Sequence, residues 1–320
     1  MLGRILNNHK KIYTLNELHF FEWLASTNSL NEQITKEEAI QLLSKLFCIE
    51  AYGLFSRKKH NEFFHKSNNT LLNKKEITPI EVYKIFLSEI MKEQKSAIIC
   101  EQTPKNAFYI YEILDAFPDA LFVNMIRDGR DVLLSQKNKW KRKFLGAKAI
   151  PLTESIRAFV NYNPLINGKL WNSAVSKVYT HKEKPYLINI RFEDLLSNPE
   201  KEIKKICLFL GVTFDDKMIK IPNIGSSTNS DNLEELKIDS SKMGKWTKGG
   251  LNASEIYLFQ MITKDNLKKY NYKIKDFHLP PFFSIFYILI LPFKVSLSLF
   301  FNLHRIKSIK HTLYNRFFSK

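Results

Sequence analysis

A phosphate monoester is best held by a planar guanidinium fork and a hydroxyl, and residues 124–135, Asn-Met-Ile-Arg-Asp-Gly-Arg-Asp-Val-Leu-Leu-Ser, supply both. Arg127 offers the fork to two oxygens and Ser135 an O–H to a third. The apolar run at residues 120–126 reads as a buried strand that delivers Arg127 to a sheet edge. A helix then starts near Asp128, which can cap it, and Gly129 lets the backbone turn tightly. Ser135 lies two turns on, roughly 10 Å along the axis. Both groups therefore reach one anion only if the strand end folds back toward the helix. On this segment alone, an ordinary surface ion pair at Arg127 is the competing reading.

The elements that must position these groups are legible around them. Short apolar runs at residues 96–100, 120–126 and 186–190 read as buried parallel strands, each followed by a helical pattern. Strands alternating with helices predict an α/β fold, a parallel sheet flanked by helices on both faces. Ligands in such sheets bind beyond the carboxyl ends of the strands, where Thr103 and Arg127 fall. Residues 1–95 read as mainly helical: a helix at Leu2, Ile5 and Leu6, a turn, then a helix at Phe20, Phe21, Trp23 and Leu24. Ala39, Leu42, Leu43 and Leu46 mark another amphipathic helix. Residues 55–76, rich in Asn, Lys and His, read as a polar loop or lid. Residues 151–178 are helical, and Pro199 opens a helix that Gly211 ends.

Bulk composition narrows the partners. Hydrophobic residues are 44% and charged residues 25%, ordinary for a folded protein, while the net charge is +17. Such a surplus draws the chain toward nucleic acid, an anionic membrane surface, or a phosphorylated or sulfated small molecule. A merely Lys-rich, solvated surface is the bland alternative. Three scattered cysteines without a CxxC pair, and no His/Cys cluster, predict reduced thiols and no metal site. With no signal peptide visible, the expected location is cytoplasmic. The last 42 residues, 279–320, differ from the rest. Residues 279–293 are uncharged but hold Pro280, Pro281 and Pro292, and from residue 279 onward there are six Lys/Arg and no Asp/Glu. The uncharged run is shorter than the ~20 residues of a spanning helix. It fits a peripheral, interfacial anchor on anionic lipid, or else a helical hairpin packed on the core. Residues 1–278 and 279–320 are thus expected as a domain and its tail.

The run Arg127-Asp-Gly-Arg-Asp-Val-Leu-Leu-Ser135 resembles the 3′-phosphate motif of sulfotransferases that use 3′-phosphoadenosine-5′-phosphosulfate (PAPS), which usually reads RDPRD before a Ser. Three further segments follow the family order. Glu101-Gln-Thr-Pro-Lys-Asn106 with Phe117-Pro-Asp-Ala120 resembles its strand, TP turn and FPDA helix end, although many relatives carry Lys at the place of Gln102. Arg191-Phe-Glu-Asp-Leu195, Asn198-Pro199 and Phe209-Leu-Gly211 resemble its YEDL…P…FLG segment. Gly244-Lys-Trp246 resembles its late G-[KR]-W segment, with Ser226 or Ser227 upstream. The resemblance covers residues 1–275. It implies that Arg127, Ser135 and, more weakly, Arg130 bind the 3′-phosphate, that Phe192 lies near the nucleotide, and that Lys245 and Ser227 reach it. Core packing is the alternative for Phe192. Residues 13–19 resemble the segment where relatives place a carboxylate beside the acceptor, which makes Glu17 the candidate base. The alternative for Glu17 is a carboxylate complementing a helix N-terminus.

One family element is absent from the sequence: no Gly-Thr-Thr or GxxxxGK loop occurs to cradle a 5′-phosphosulfate on backbone N–H groups. Met1 to His9 resembles the helix that follows that loop. The expectation is that a first strand and loop, roughly 10–25 residues, precede Met1. The combined reading is a PAPS-dependent sulfotransferase acting on a hydroxyl or amine acceptor, with the basic tail pointing to a glycan or lipid-linked one, and with no metal and no nucleic-acid partner. The alternatives are a catalytically impaired nucleotide-binding homologue and a basic membrane-associated scaffold.

Overall fold

The computed structural model describes residues 1–26, 29–74, 77–145, 147, 150–223 and 232–302. The chain divides into two compact units, Met1–Ala120 with Gly211–Ile221, and Leu121–Leu210 with Pro222 onward.

In the first unit, α1 (Leu2–Asn7) leads into β1 (Ile12–Thr14). The sequence reading had a turn here, because three residues are too few for strand alternation to register. Phe20–Leu24 forms a single π-helical turn rather than a regular helix. Next come α2 (Lys36–Tyr52), α3 (Phe64–Thr70) and α4 (Pro79–Gln94). Reciprocal capping boxes start α2 and α4, Thr35 with Glu38 and Thr78 with Glu81, each satisfying two N–H groups that the helix cannot. The expected polar loop is helical instead: Leu54–Phe63 is a 3₁₀ segment that runs into α3. It is held by what it buries, since Leu71 is buried, the Ser67 hydroxyl meets Ser44 at 2.9 Å, and the Lys66 ammonium sits 3.9 Å from the Phe47 ring centre. Its polar residues are the outward face of a packed element, which composition alone cannot distinguish from a loop. β2 (Ile98–Cys100) pairs parallel with β1, Ile12 against Ile98, and α5 (Ile110–Ala116) follows. The core beneath gathers Leu43, Leu46 and Phe86 around Phe20, which stacks on Tyr83 at 4.1 Å.

In the second unit, β3 (Phe122–Ile126) is followed by α6 (Gly129–Asn138), α7 (Leu152–Val160) and α8 (Pro164–Tyr179) before β4 (Leu187–Arg191). β3 and β4 are parallel over five residue pairs, ending Ile126 against Arg191. A parallel pair needs such a long crossover. α9 (Phe192–Ser197), α10 (Pro199–Phe209), the antiparallel pair β5 (Pro222–Asn223) and β6 (Asn232–Leu236), α11 (Ala253–Lys269), α12 (Ser284–Leu289) and α13 (Leu291–Asn302) complete it. The three strands read from the sequence are thus present, each within two residues of its expected start, and every pairing among them is parallel.

α6 crosses α8 and α11 closely, and Gly129 is the reason it can. A Cβ there would lie 2.6 Å from Phe259 Cζ and 3.0 Å from Trp171 Cδ2. Gly129 is not among the residues of positive φ, so its smallness is used, not the backbone freedom the sequence suggested. Gly129→Ala is therefore expected to overpack this contact and cost about 1–3 kcal/mol, read as a lowered denaturation midpoint against wild type.

Candidate functional site

Arg127 follows β3 at its carboxyl end, the edge beyond which parallel sheets place their ligands. Its guanidinium carbon lies 4.6 Å from the Phe192 ring centre, and Nη2 donates to the Lys242 carbonyl at 3.0 Å. The same Nη2 is 3.5 Å from Asp131 Oδ2, while buried Nε has no partner among the described residues. The fork is thus oriented by an aromatic face and one carbonyl, with a donor left over.

Asp128 and Asp131 build the frame around it. The Asp128 side chain caps α6 by accepting from Arg130 N at 2.9 Å, and its own N–H donates to Glu193 Oε1 at 2.9 Å. Its carboxylate takes Arg130 in a bidentate pair, Nε at 3.0 Å and Nη2 at 2.8 Å, and accepts from Trp246 Nε1 at 3.2 Å. Asp131 is buried and accepts from Gly244 N at 2.9 Å and Trp246 N at 2.8 Å. Burial holds its pKa above the ordinary value, and the two backbone donors and Arg127 pull it back only in part. Glu193 is fixed from its other oxygen by the Tyr272 hydroxyl at 2.8 Å.

The sequence-derived candidates fall out unevenly against this frame. Arg127 and Phe192 come together. Lys245 is carried on the loop whose backbone neighbours, Gly244 and Trp246, both hang on Asp131. Ser135 sits on α6, two turns beyond its cap. Ser226 and Ser227 lie outside the described residues. Arg130 is 1% exposed, with Nη1 donating to Gln260 Oε1 at 2.9 Å and the Lys273 carbonyl at 2.7 Å, and its guanidinium covers the Trp246 ring at 3.9 Å. Four of its five side-chain donors are spent inside the protein and it is buried, so it organises the frame rather than presenting charge. Asp131 and Glu193 were passed over in the sequence reading. The available signal was their position inside the Arg-Asp-Gly-Arg-Asp and Phe-Glu-Asp-Leu runs, where a carboxylate beside each basic or aromatic residue has to be matched.

In the first unit, titratable groups gather beyond the ends of β1 and β2. His19 adopts a left-handed backbone (φ 54°), and its N–H donates to Thr103 Oγ1 at 3.1 Å. Its ring stacks on Trp23 at 4.0 Å, with Nδ1 2.9 Å from Glu22 Oε2 and Nε2 3.6 Å from Glu17 Oε2. Glu22 also meets the Lys105 ammonium at 2.5 Å. Burial would discourage both charges, yet the contacts outweigh it: His19 is raised, chiefly through Glu17 and Glu22, and Glu22 is lowered to about 2 through His19 and Lys105. Glu101 lies deeper, accepts from Thr103 and Asn106, and is raised by burial. Glu17 alone of these carboxylates presents half its side chain, 52%, to solvent. Gln102 donates to the Leu15 carbonyl at 2.9 Å. Among the described residues no His/Cys/Asp/Glu group could hold a metal ion.

The family model described as "Sulfotransferase family" matches residues 1–216. A "Flavonol sulfotransferase-like" protein of Flaveria bidentis is 25% identical over 140 residues, covering 42% of this chain and 44% of its own. A "Putative protein-tyrosine sulfotransferase" of Caenorhabditis elegans is 26% identical over 139 residues, 42% and 49% of the two chains. This chain thus spans less than half the length of either relative. Among solved structures, the sulfotransferase domain from the curacin biosynthetic pathway superposes with a TM-score of 0.52 at 17% identity, over 86% of this chain and 93% of that one. That likeness speaks for the fold, and the family model for descent: the chain belongs to the sulfotransferase family.

Proposed function

We propose that the chain transfers a sulfuryl group from PAPS to a hydroxyl acceptor, releasing adenosine 3′,5′-bisphosphate. The observation that carries this reading is Arg127, a strand-end guanidinium stacked on Phe192 with a buried Nε donor still unpartnered among the described residues. A nucleotide 3′-phosphate is the kind of group that such a donor fits, with Ser135 and Lys245 as further contacts. The co-substrate supplies the sulfuryl group, and the chain's residues bind, orient and move the proton. In the transfer, the acceptor oxygen bonds to sulfur as the bond from sulfur to the 5′-phosphate oxygen breaks. The hydroxyl proton passes to Glu17, whose carboxylate is exposed and steadied by His19. The names of the two relatives, one a flavonol and one a tyrosine enzyme, favour a phenolic hydroxyl over an amine.

Arg127→Ala should weaken adenosine 3′,5′-bisphosphate binding by roughly 10–150-fold, the worth of one charge-assisted hydrogen bond, in isothermal titration; unchanged affinity would remove the 3′-phosphate assignment. Glu17→Gln should lower kcat by roughly 10²–10⁴-fold and leave that affinity as it was, so full turnover in this variant rules Glu17 out as the base. The His19–Glu22 pair has its own pH signature. Glu22, lowered from 4.5 to about 2, contributes stability above pH 4.5 that is lost as pH falls toward 2. His19, raised from 6.5, contributes stability that is full below pH 6.5 and lost as pH rises through its folded value. His19→Asn should accordingly cost about 1.5–3 kcal/mol between those limits and less in alkali, measured by urea denaturation across pH.

A further inference from the structure

α12 and α13 are built inside out for water. The side chains they bury are polar, Ser284 at 5% exposure, Ser298 at 7% and Asn302 at 4%, while Phe282 is 86% exposed, Leu289 73% and Phe293 68%. The two helices are held to their own unit by polar contacts. Ser298 Oγ donates to Asn161 Oδ1 at 2.7 Å, and Asn302 Nδ2 to the same oxygen at 3.1 Å. Arg157 Nη1 donates to Asn302 Oδ1 at 3.0 Å. A helix packed on a water-soluble core shows the opposite order, with its apolar stripe inward.

The apolar surface continues onto α7. Leu152, Ile156 and Phe159 stand exposed at i, i+4 and i+7, one stripe of that helix. Phe159 touches Trp140 edge-on at 6.2 Å between ring centres, Trp140 touches exposed Phe144 at 6.4 Å, and the Lys294 ammonium lies 5.3 Å from the Phe159 ring. Contiguous apolar surface of this extent on one face marks an interaction site rather than ordinary exposure.

Charge selects the partner. Between Asp131 and Glu154 the chain has no acid and carries Lys139, Lys141, Arg142, Lys143 and Lys148 besides Lys137, which Glu255 pairs at 2.8 Å, and residues 279–302 carry Lys294 alone. The carboxylate of α7, Glu154, is paired with Arg157 at 2.6 Å. An acidic protein partner would answer the charge but not nine exposed large apolar side chains between Leu279 and Phe300. A lipid boundary with anionic headgroups answers both. Among the described residues no helix is long and apolar enough to cross a membrane.

We propose that the face formed by α12, α13, α7 and the 3₁₀ turn Lys139–Phe144 inserts into the headgroup–acyl boundary of an anionic lipid bilayer. The face does not depend on the proposed chemistry, so either can fail without the other. The test is flotation of the full chain with vesicles of phosphatidylglycerol and phosphatidylcholine in equal parts, against phosphatidylcholine alone. Wild type should float with the mixed vesicles and more weakly with the neutral ones. The triple variant Phe282→Ser, Phe286→Ser, Phe293→Ser should keep its thermal midpoint and bind at least about tenfold less. Quenching of wild-type tryptophan fluorescence by phosphatidylcholine brominated in its acyl chains, in mixed vesicles, reads insertion without any variant. Equal flotation of variant and wild type, or no quenching, overturns insertion. A lipid-free dimer that the triple variant dissolves in sedimentation velocity overturns it too, and assigns the face to a second copy.

Discussion

Two carboxylates on the first turn of α6, Asp128 and Asp131, tie the 244–246 loop to that helix and so set the surroundings of Arg127. Each is withdrawn from water, and a buried carboxylate is tolerable only when its lone pairs are matched. Asp128 is matched by the α6 N-terminus, by both donors of Arg130 and by the Trp246 indole. Asp131 is matched by two backbone N–H groups of the 244–246 loop, those of Gly244 and Trp246. Because those donors come from segments more than a hundred residues apart, satisfying two charges also fixes where the late loop lies over α6. Arg127 profits from this arrangement. Its neighbour Asp131 is already occupied by two N–H groups, so the ion pair between them stays long, at 3.5 Å, and does not consume the guanidinium.

The first unit solves a related problem with a different economy. Glu101 is buried and answered by uncharged donors, so burial raises its pKa. Glu22 is answered by a histidine and a lysine, so it is lowered. The same residue type at the end of the same strand pair therefore takes opposite protonation tendencies, decided by whether its partners carry charge. His19, in the left-handed region where side chains are rarely at ease, is kept there by its N–H to Thr103, its stack on Trp23 and its two carboxylate neighbours. That local cost places an imidazole between one locked carboxylate and one exposed one.

The apolar surface of α7, α12 and α13 follows the same physics in reverse. Burying Ser298 and Asn302 is possible because they answer each other, Asn161 and Arg157. With the inward face polar, the aromatic residues have only the outside left to occupy. Water is a poor solvent for such a face, and its sequence neighbours carry positive charge rather than the mixed charges that usually keep a surface soluble.

The sequence by itself determined three of the strands, β2, β3 and β4, their alternation with helices, and the Arg127-to-Ser135 run, because these are local: apolar runs of strand length and a motif read in one stretch. It also determined that residues 279–293 would be uncharged and that only Lys and Arg, with no acid, would follow them. Only the tertiary structure decided what the motif's residues do. Arg130 and Arg127 are the same side chain three positions apart, yet one is sealed against Asp128, Gln260 and Trp246 while the other keeps a spare donor, a difference set by partners at positions 242–273. Gly129 reads as a turn residue until Phe259 and Trp171 arrive beside it. Residues 54–70 read as a loop until Ser44 and Phe47 give them a surface to pack on. In each case the deciding neighbour is distant in sequence, and spacing along the chain carries no record of which side chain will come to stand across from it.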